Sequence, residues 1–173
     1  MGIGPLTAPD VVAIARDGVR VEITPECLAA VGATRRHVEA LAASDRPVYG
    51  VSTGFGALAT RHIPVDRRTR LQQSLIRSHA GGSGPEVERE VVRAMMALRL
   101  STLCTGRTGV RPIVVETYAA LLNAGITPVV REYGSLGCSG DLAPLAHCAL
   151  ALIGEGEVRD ASDTLLPASD ALG

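Results

Sequence analysis

Read for the spacing of apolar and polar positions, the chain predicts a series of helices joined by glycine-rich turns. Val11, Val12, Ile14 and Ala15 mark a short helix over Thr7–Asp17, ended by Gly18. Val19-Arg20-Val21-Glu22-Ile23 alternates and predicts a short strand. Thr24-Pro25 is an N-cap followed by proline at the first helical position, so a second helix runs to about Ala43, with Arg35 and Arg36 on its solvated side. Ser44-Asp45-Arg46-Pro47 breaks it. Asp66 is placed to cap a third helix to about Ala80, in which Leu71, Leu75 and His79 share a face, before Gly81-Gly82-Ser83-Gly84 ends it. Glu86 to about Leu103 predicts an amphipathic helix with Val87, Val91, Met95, Leu98 and Thr102 on its apolar side. After a loop at Thr105–Gly109, Arg111-Pro112 opens a helix to about Asn123, closed by Gly125. Pro128-Val129-Val130 predicts a short extended piece. A last helix starts at Asp141 as N-cap, with Pro144 in its first turn and Leu142, Leu145, Ala149 and Leu152 as its buried face. Gly154 onward predicts turns and a hairpin.

Composition narrows the class. The 173 residues are one domain's worth, 46% hydrophobic but only 2% aromatic, so the core is built from Ala, Leu, Val and Ile, which suits close helix packing. A net charge of −1 with interspersed signs argues against a nucleic-acid or polyanion partner. Neither a charged-then-apolar leader nor a membrane-length apolar run is present, which leads us to expect a cytoplasmic chain with no membrane partner. Cys27, Cys104, Cys138 and Cys148 form no C-x-x-C pair and no histidines sit at ligand spacing. They read as small buried hydrophobes, and no metal is expected.

The chemistry concentrates in Gly134-Ser135-Leu136-Gly137-Cys138-Ser139-Gly140-Asp141-Leu142-Ala143-Pro144-Leu145-Ala146-His147. Three glycines within seven residues give a tight turn that runs into a helix N-terminus, whose partial positive charge favours electron-rich groups. A small residue, then Ser, then Gly permits a backbone cyclisation. The Gly140 amide nitrogen attacks the Cys138 carbonyl carbon and water leaves, closing a five-membered ring. Loss of a second water from Ser139 leaves an exocyclic methylidene, an electrophile that ordinary side chains do not supply. On the tripeptide alone, a plain helix-cap loop is the commoner explanation.

The whole stretch, however, closely resembles the motif of the aromatic amino acid ammonia-lyase family, whose members carry a 4-methylideneimidazol-5-one (MIO) group. The usual tripeptide there is Ala-Ser-Gly. Cys138 departs from it, but only that residue's backbone enters the ring. Two further stretches resemble the same family. Val48-Tyr49-Gly50-Val51-Ser52-Thr53-Gly54-Phe55-Gly56-Ala57-Leu58 is a poor strand and a poor helix, hence an ordered loop, and lacks the spacing of a nucleotide loop. By itself it reads as a structural loop with Tyr49 bonded in the core; it resembles the family loop whose Tyr is assigned as catalytic base. His79, taken alone, is an ordinary core histidine, but Ser78-His79 resembles the pair found in histidine-specific members, where phenylalanine- and tyrosine-specific members tend to have Phe-Leu or His-Leu.

The resemblance implies a mainly α fold, the N-terminal part of an ammonia-lyase (aspartase-like) helical fold with a few short strands. It implies that residues 1–173 form a single MIO-bearing portion of a longer lyase, without the central bundle and C-terminal part. It implies elimination of ammonia from L-histidine to give urocanate, the opening step of histidine breakdown, by a homotetramer whose sites draw on several subunits. Cys138, Ser139 and Gly140 would form the MIO, with Ser139 supplying the electrophile. Tyr49 would take the β-proton and His79 would orient the substrate or assist proton transfer. A free tyrosine has a pKa of about 10, so such a base needs a nearby donor or positive charge. The alternatives are an MIO-dependent tyrosine or phenylalanine lyase or aminomutase, and a silent chain acting only in assembly.

Overall fold

The computed structural model describes residues 1–138 and 140–172; the candidate residue Ser139 and the terminal Gly173 lie outside them. Seven α-helices are described: α1 (Ala8–Ala15), α2 (Pro25–Ala43), α3 (Val65–His79), α4 (Arg89–Cys104), α5 (Pro112–Asn123), α6 (Leu142–Leu152) and α7 (Ala168–Leu172). Five short strands accompany them: β1 (Ser83–Glu86), β2 (Thr127–Pro128), β3 (Arg131–Tyr133), β4 (Glu157–Arg159) and β5 (Leu165–Pro167).

The cap-bearing helices form where their end residues dictate. Thr7 closes a capping box with Asp10 at the start of α1, and the Thr24 hydroxyl accepts the Cys27 N–H at 3.3 Å at the start of α2. Helix α3 instead begins at Val65, with Pro64 at its N-cap and no side-chain cap, so Asp66 sits in the first turn rather than capping it. The expected strand over Val19–Ile23 does not form. Val21 runs extended, but its partner is a side chain: the Asn123 amide accepts the Val21 N–H at 2.7 Å and donates to the Val21 carbonyl at 2.8 Å. One residue's backbone is thereby satisfied without a neighbouring strand.

Helix α4 is the element that α1, α2, α5 and β2 all pack against. Its buried face is Val92, Met96, Leu100 and Leu103 with Ala97 and Cys104, not the expected face. Val91 and Leu98 are each 50% exposed. Two stripes of α4 are apolar, and the true core stripe carries Arg93 and Ser101, which makes it look the more polar of the two. Arg93 is buried because its guanidinium ends two other helices. Nε and Nη2 donate to the Ala15 and Ile14 carbonyls of α1 at 3.1 and 2.9 Å, and Nη1 donates to the Leu122 carbonyl of α5 at 3.1 Å. Carbonyls at helix C-termini lack intrahelical donors and carry partial negative charge, so they satisfy the cation without a carboxylate.

Glu86, expected to open α4, lies in β1. β1 pairs antiparallel with β3, Ser83 opposite Tyr133 and Glu86 opposite Arg131. β2, β4 and β5 form a three-stranded antiparallel sheet, in which β4 and β5 are the expected hairpin. Helix α6 also turns a different face inward: Pro144, Ala146, Cys148 and Ala151 are buried, and Leu142 is 63% exposed. The smaller residues lie where the elements approach, so Leu142 is exposed and Leu145, Leu150 and Leu152 are only partly buried. Cys27, Cys104 and Cys148 are buried free thiols, but Cys138 is exposed, contrary to the expectation of four buried ones. Burial pushes the Cys148 thiol up to about 12. Cys104 is pushed up to about 12, chiefly by burial and then by its hydrogen bond with Cys27. Neither ionises at neutral pH.

Arg93→Met should lower the unfolding free energy by roughly 2–4 kcal/mol in urea titrations, because each buried carbonyl left without a donor costs about 1–3 kcal/mol before relaxation. Arg93→Lys should recover only part of this, since an ammonium cannot reach three carbonyls with a fixed fork.

Candidate active site

The loop ahead of α6 is organised by one carboxylate. Asp141 stands at the N-cap position, yet its side chain does not cap α6. It turns back instead and accepts the Leu136 and Gly137 N–H groups at 3.1 and 3.3 Å and the Ser135 hydroxyl. The Ser135 hydrogen bond is the main reason the carboxyl lies below its ordinary range; burial opposes it, and the two backbone N–H groups add to the lowering. The result is a closed turn whose feet are Ser135 and Asp141. Within it Cys138 is exposed, and Gly140 has φ +70° with open space where a Cβ would stand. Because Asp141 faces backward, no side chain among the described residues caps the first N–H groups of α6, and the positive end of that helix lies beside the turn.

These features fit the ring chemistry. Gly140 already holds a left-handed conformation that other residues rarely adopt, and its α-carbon has no neighbour to obstruct a rearrangement. Only the backbone of residue 138 is needed, and the exposed Cys138 side chain leaves it unencumbered.

Ser78 and His79 end α3. His79 is half-buried, and its Nδ1 lies 2.8 Å from the Leu75 carbonyl and 3.0 Å from the Ser78 hydroxyl. A carbonyl only accepts, so this contact places the proton on Nδ1 and the lone pair on Nε2. The Ser78 hydroxyl donates to the same carbonyl at 2.9 Å. The pair thus fixes both the orientation and the tautomer of the imidazole.

Three residues beyond His79 the chain meets the 134–147 stretch. The Gly82 N–H donates to His147 Nε2 at 3.1 Å. A Cβ on Gly82 would lie 2.9 Å from that nitrogen and 3.2 Å from Arg131 Cβ. A Cβ on Gly134 would lie 3.1 Å from Gly82 Cα. The first and last residues of the stretch therefore converge on Gly82, and β1–β3 pairing continues the contact. His147 was not singled out from the sequence. Its place as the final residue of the family-like stretch was the one available signal.

The loop over 48–58 is ordered, as expected. Ser52 and Thr53 are buried, the Val48 N–H donates to the Ser52 hydroxyl at 2.9 Å, and Thr53 bridges to His62. Tyr49 is 62% exposed, so it is not the core tyrosine of the plainer reading. Its ring meets Phe55 edge-on at 5.7 Å and 85°, and its hydroxyl accepts the Gly56 N–H at 3.4 Å. Gln72 of α3 donates to the Gly50 carbonyl at 3.3 Å. Gln72 and His79 are two turns apart, about 10 Å along the helix axis. Helix α3 thus carries the Tyr49 loop on one half and the Gly82 junction at its end. Gly82, three residues past His79, meets the 134–147 stretch, whereas the contacts of His79 itself are to Leu75 and Ser78; the described contacts of Tyr49 stay within its own loop. Among the described residues no three His, Cys, Asp or Glu side chains gather as metal ligands, and no helix is long and apolar enough to cross a membrane.

Comparison with known proteins agrees with this arrangement. The family described as aromatic amino acid lyase matches residues 6–173. The chain is 63% identical over 172 residues to histidine ammonia-lyase of Streptomyces coelicolor, covering 99% of this chain and 34% of that protein. Among solved structures, tyrosine aminomutase from Streptomyces globisporus matches with a TM-score of 0.90 at 38% identity, over 98% of this chain and 32% of that one. Histidine ammonia-lyase from Trypanosoma cruzi matches with a TM-score of 0.88 at 33% identity, over 99% and 33% respectively. The chain spans about a third of the length of the curated relatives it matches. Its mainly helical arrangement with a few short strands is the ammonia-lyase fold. In sequence and in fold alike, the chain belongs to the aromatic amino acid lyase family.

Proposed function

We propose that this chain supplies the MIO-bearing part of a lyase that eliminates ammonia from L-histidine to give urocanate. The observation that carries the reading is the turn closed by Asp141, beside the uncapped end of α6, with the Ser78-His79 pair joined to it through Gly82. Cys138, Ser139 and Gly140 would form and hold the MIO. When formed, that group supplies an electrophile strong enough to turn the substrate amine into a better leaving group.

The remaining roles belong to side chains. Tyr49 is the base for the β-proton. Its hydroxyl oxygen receives a hydrogen bond from the Gly56 N–H, which together with the Phe55 contact orients the ring. His79 keeps its Nε2 lone pair free by committing Nδ1 to Leu75, and so offers an acceptor to the N–H of a substrate imidazole or to the substrate amine. The α6 N-terminus stabilises negative charge developing at the turn.

Histidine is favoured as substrate by the Ser78-His79 pair and by the 63% identity to a histidine ammonia-lyase. The likeness to a tyrosine aminomutase keeps a second reading in play, an MIO-dependent lyase or aminomutase acting on tyrosine or phenylalanine. Tyr133, Leu136 and Leu142 around the turn are 64%, 86% and 63% exposed, and Tyr49 in its own loop is 62% exposed. This openness fits a homotetramer in which other segments and subunits cover the turn and complete the substrate site.

Tests follow urocanate release in the full-length lyase carrying this sequence. Tyr49→Phe should lower kcat by about 10²–10⁴-fold with little change in KM, the range for a positioned acid–base group; activity within a few-fold of wild type would remove Tyr49 from that role. Replacing Ser78-His79 by His-Leu should move preference from histidine towards tyrosine, and unchanged preference would undercut histidine as the substrate. The 173 residues alone should show no turnover. Asp141→Ala should speed amide exchange at Leu136 and Gly137 by about tenfold or more, as expected when hydrogen bonds to a charged group, worth about 1.5–3 kcal/mol, are lost. In wild type the same loosening should appear only when pH falls through the lowered Asp141 pKa, because the ionised form is the acceptor.

A further inference from the structure

The 134–147 stretch closes on itself at Gly82, and the closing contact is made by a group that titrates. His147 Nε2 accepts the Gly82 N–H at 3.1 Å across 65 residues of sequence. Gly134, at the other end of the stretch, packs on Gly82 Cα so closely that its own Cβ would sit 3.1 Å away. Gly82 follows His79 by three residues and opens directly into β1, which pairs with β3. Beside the packing of α3 along α6, Gly82 thus ties the chain just after His79 to both ends of the stretch.

We infer that His147 is a positioning residue, whose Nε2 lone pair holds the turn after His79 in register with the loop that forms the MIO. For its catalytic consequence this rests on the lyase reading; the contact itself does not. The contact has a protonation requirement. An imidazolium carries N–H on both ring nitrogens, so protonated His147 would set a donor against the Gly82 donor. The surroundings favour the accepting form: burial lowers the His147 pKa, and the positive charge of Arg131 lowers it further. Arg131 faces the ring from β3; it donates to the Gly84 carbonyl at 3.3 Å, with Glu157 of β4 at 3.9 Å. From α3, which packs along α6, the charged and titratable groups are His79 and Arg77, the latter paired with Glu155 at 2.6 Å. A folded pKa below the unfolded value, about 6.5, means that the stabilisation is complete above that value. It is lost as pH falls through the lower, folded one.

The test uses the full-length lyase. Imidazole carbon-bound hydrogen exchange, read by mass spectrometry, gives the His147 midpoint; amide exchange of the peptide over 80–86, corrected for intrinsic rates, reports the Gly82 contact. In wild type that peptide should become at least about tenfold less protected on acidification, with the His147 midpoint. His147→Gln offers an acceptor oxygen that does not titrate, so protection should persist and lose its pH dependence. His147→Leu should remove protection at every pH. Gly82→Ala, whose Cβ meets the same nitrogen, should do so without touching the histidine. In urocanate assays the acid limb with the His147 midpoint should be absent from His147→Gln, with its plateau retained. Exchange over 80–86 that ignores the His147 midpoint, or that His147→Leu leaves unchanged, overturns the inference; so does a His147→Gln profile that keeps the limb. If no variant or wild type releases urocanate, the lyase reading fails while the exchange data still decide the positioning role.

Discussion

A Cβ on Gly82 would lie 2.9 Å from His147 Nε2 and one on Gly134 3.1 Å from Gly82 Cα, and the candidate site is built around that close approach. Helix α3 carries the two elements that chemistry would need on one side, the Tyr49 loop through Gln72 and the Ser78-His79 pair at its end. Helix α6 and the turn before it carry the other. Beside this meeting point β1 pairs with β3. Close approach of backbones is a constraint that glycine suits best, and here it joins the chain just after His79 to both ends of the 134–147 stretch.

The turn itself is an exercise in how a carboxylate is used. An Asp ahead of a helix ordinarily satisfies that helix's own N–H groups. Asp141 satisfies those of Leu136 and Gly137 instead. Two consequences follow from the one choice. The loop is drawn shut over a short span, and the positive end of α6, not capped by Asp141, lies beside the turn. Arg93 solves a related problem at the other end of helices, where a single guanidinium meets carbonyls from α1 and α5 and leaves α4 as the hub of the core.

Much of this was legible in the sequence, and the parts that were not share a cause. Thr24-Pro25, Arg111-Pro112 and Gly125 mark helix ends through local backbone chemistry, and α2 and α5 begin or end at them. The glycine-rich loop over 48–58 was recognisable as ordered but irregular. What local pattern could not supply was the partner. β1 and β3 are three or four residues long and lie about fifty residues apart, with no alternation to announce them. On α4, Arg93 and Ser101 made the core stripe look polar, because the carbonyls that accept from Arg93 come from other helices. Val21 looked like a strand residue and behaves like one, except that its partner is the Asn123 side chain. At the site, the residue types of the tripeptide and the Ser78-His79 pair were visible, but the backward turn of Asp141 and the reach of His147 to Gly82 were not.

The central claim is that this turn makes its own electrophile from Cys138, Ser139 and Gly140. It is tested most directly by the intact mass of the full-length protein with a peptide map across residues 131–159. The account predicts a deficit of two waters confined to the peptide containing Cys138-Ser139-Gly140. An unmodified mass for that peptide in the folded protein would contradict it.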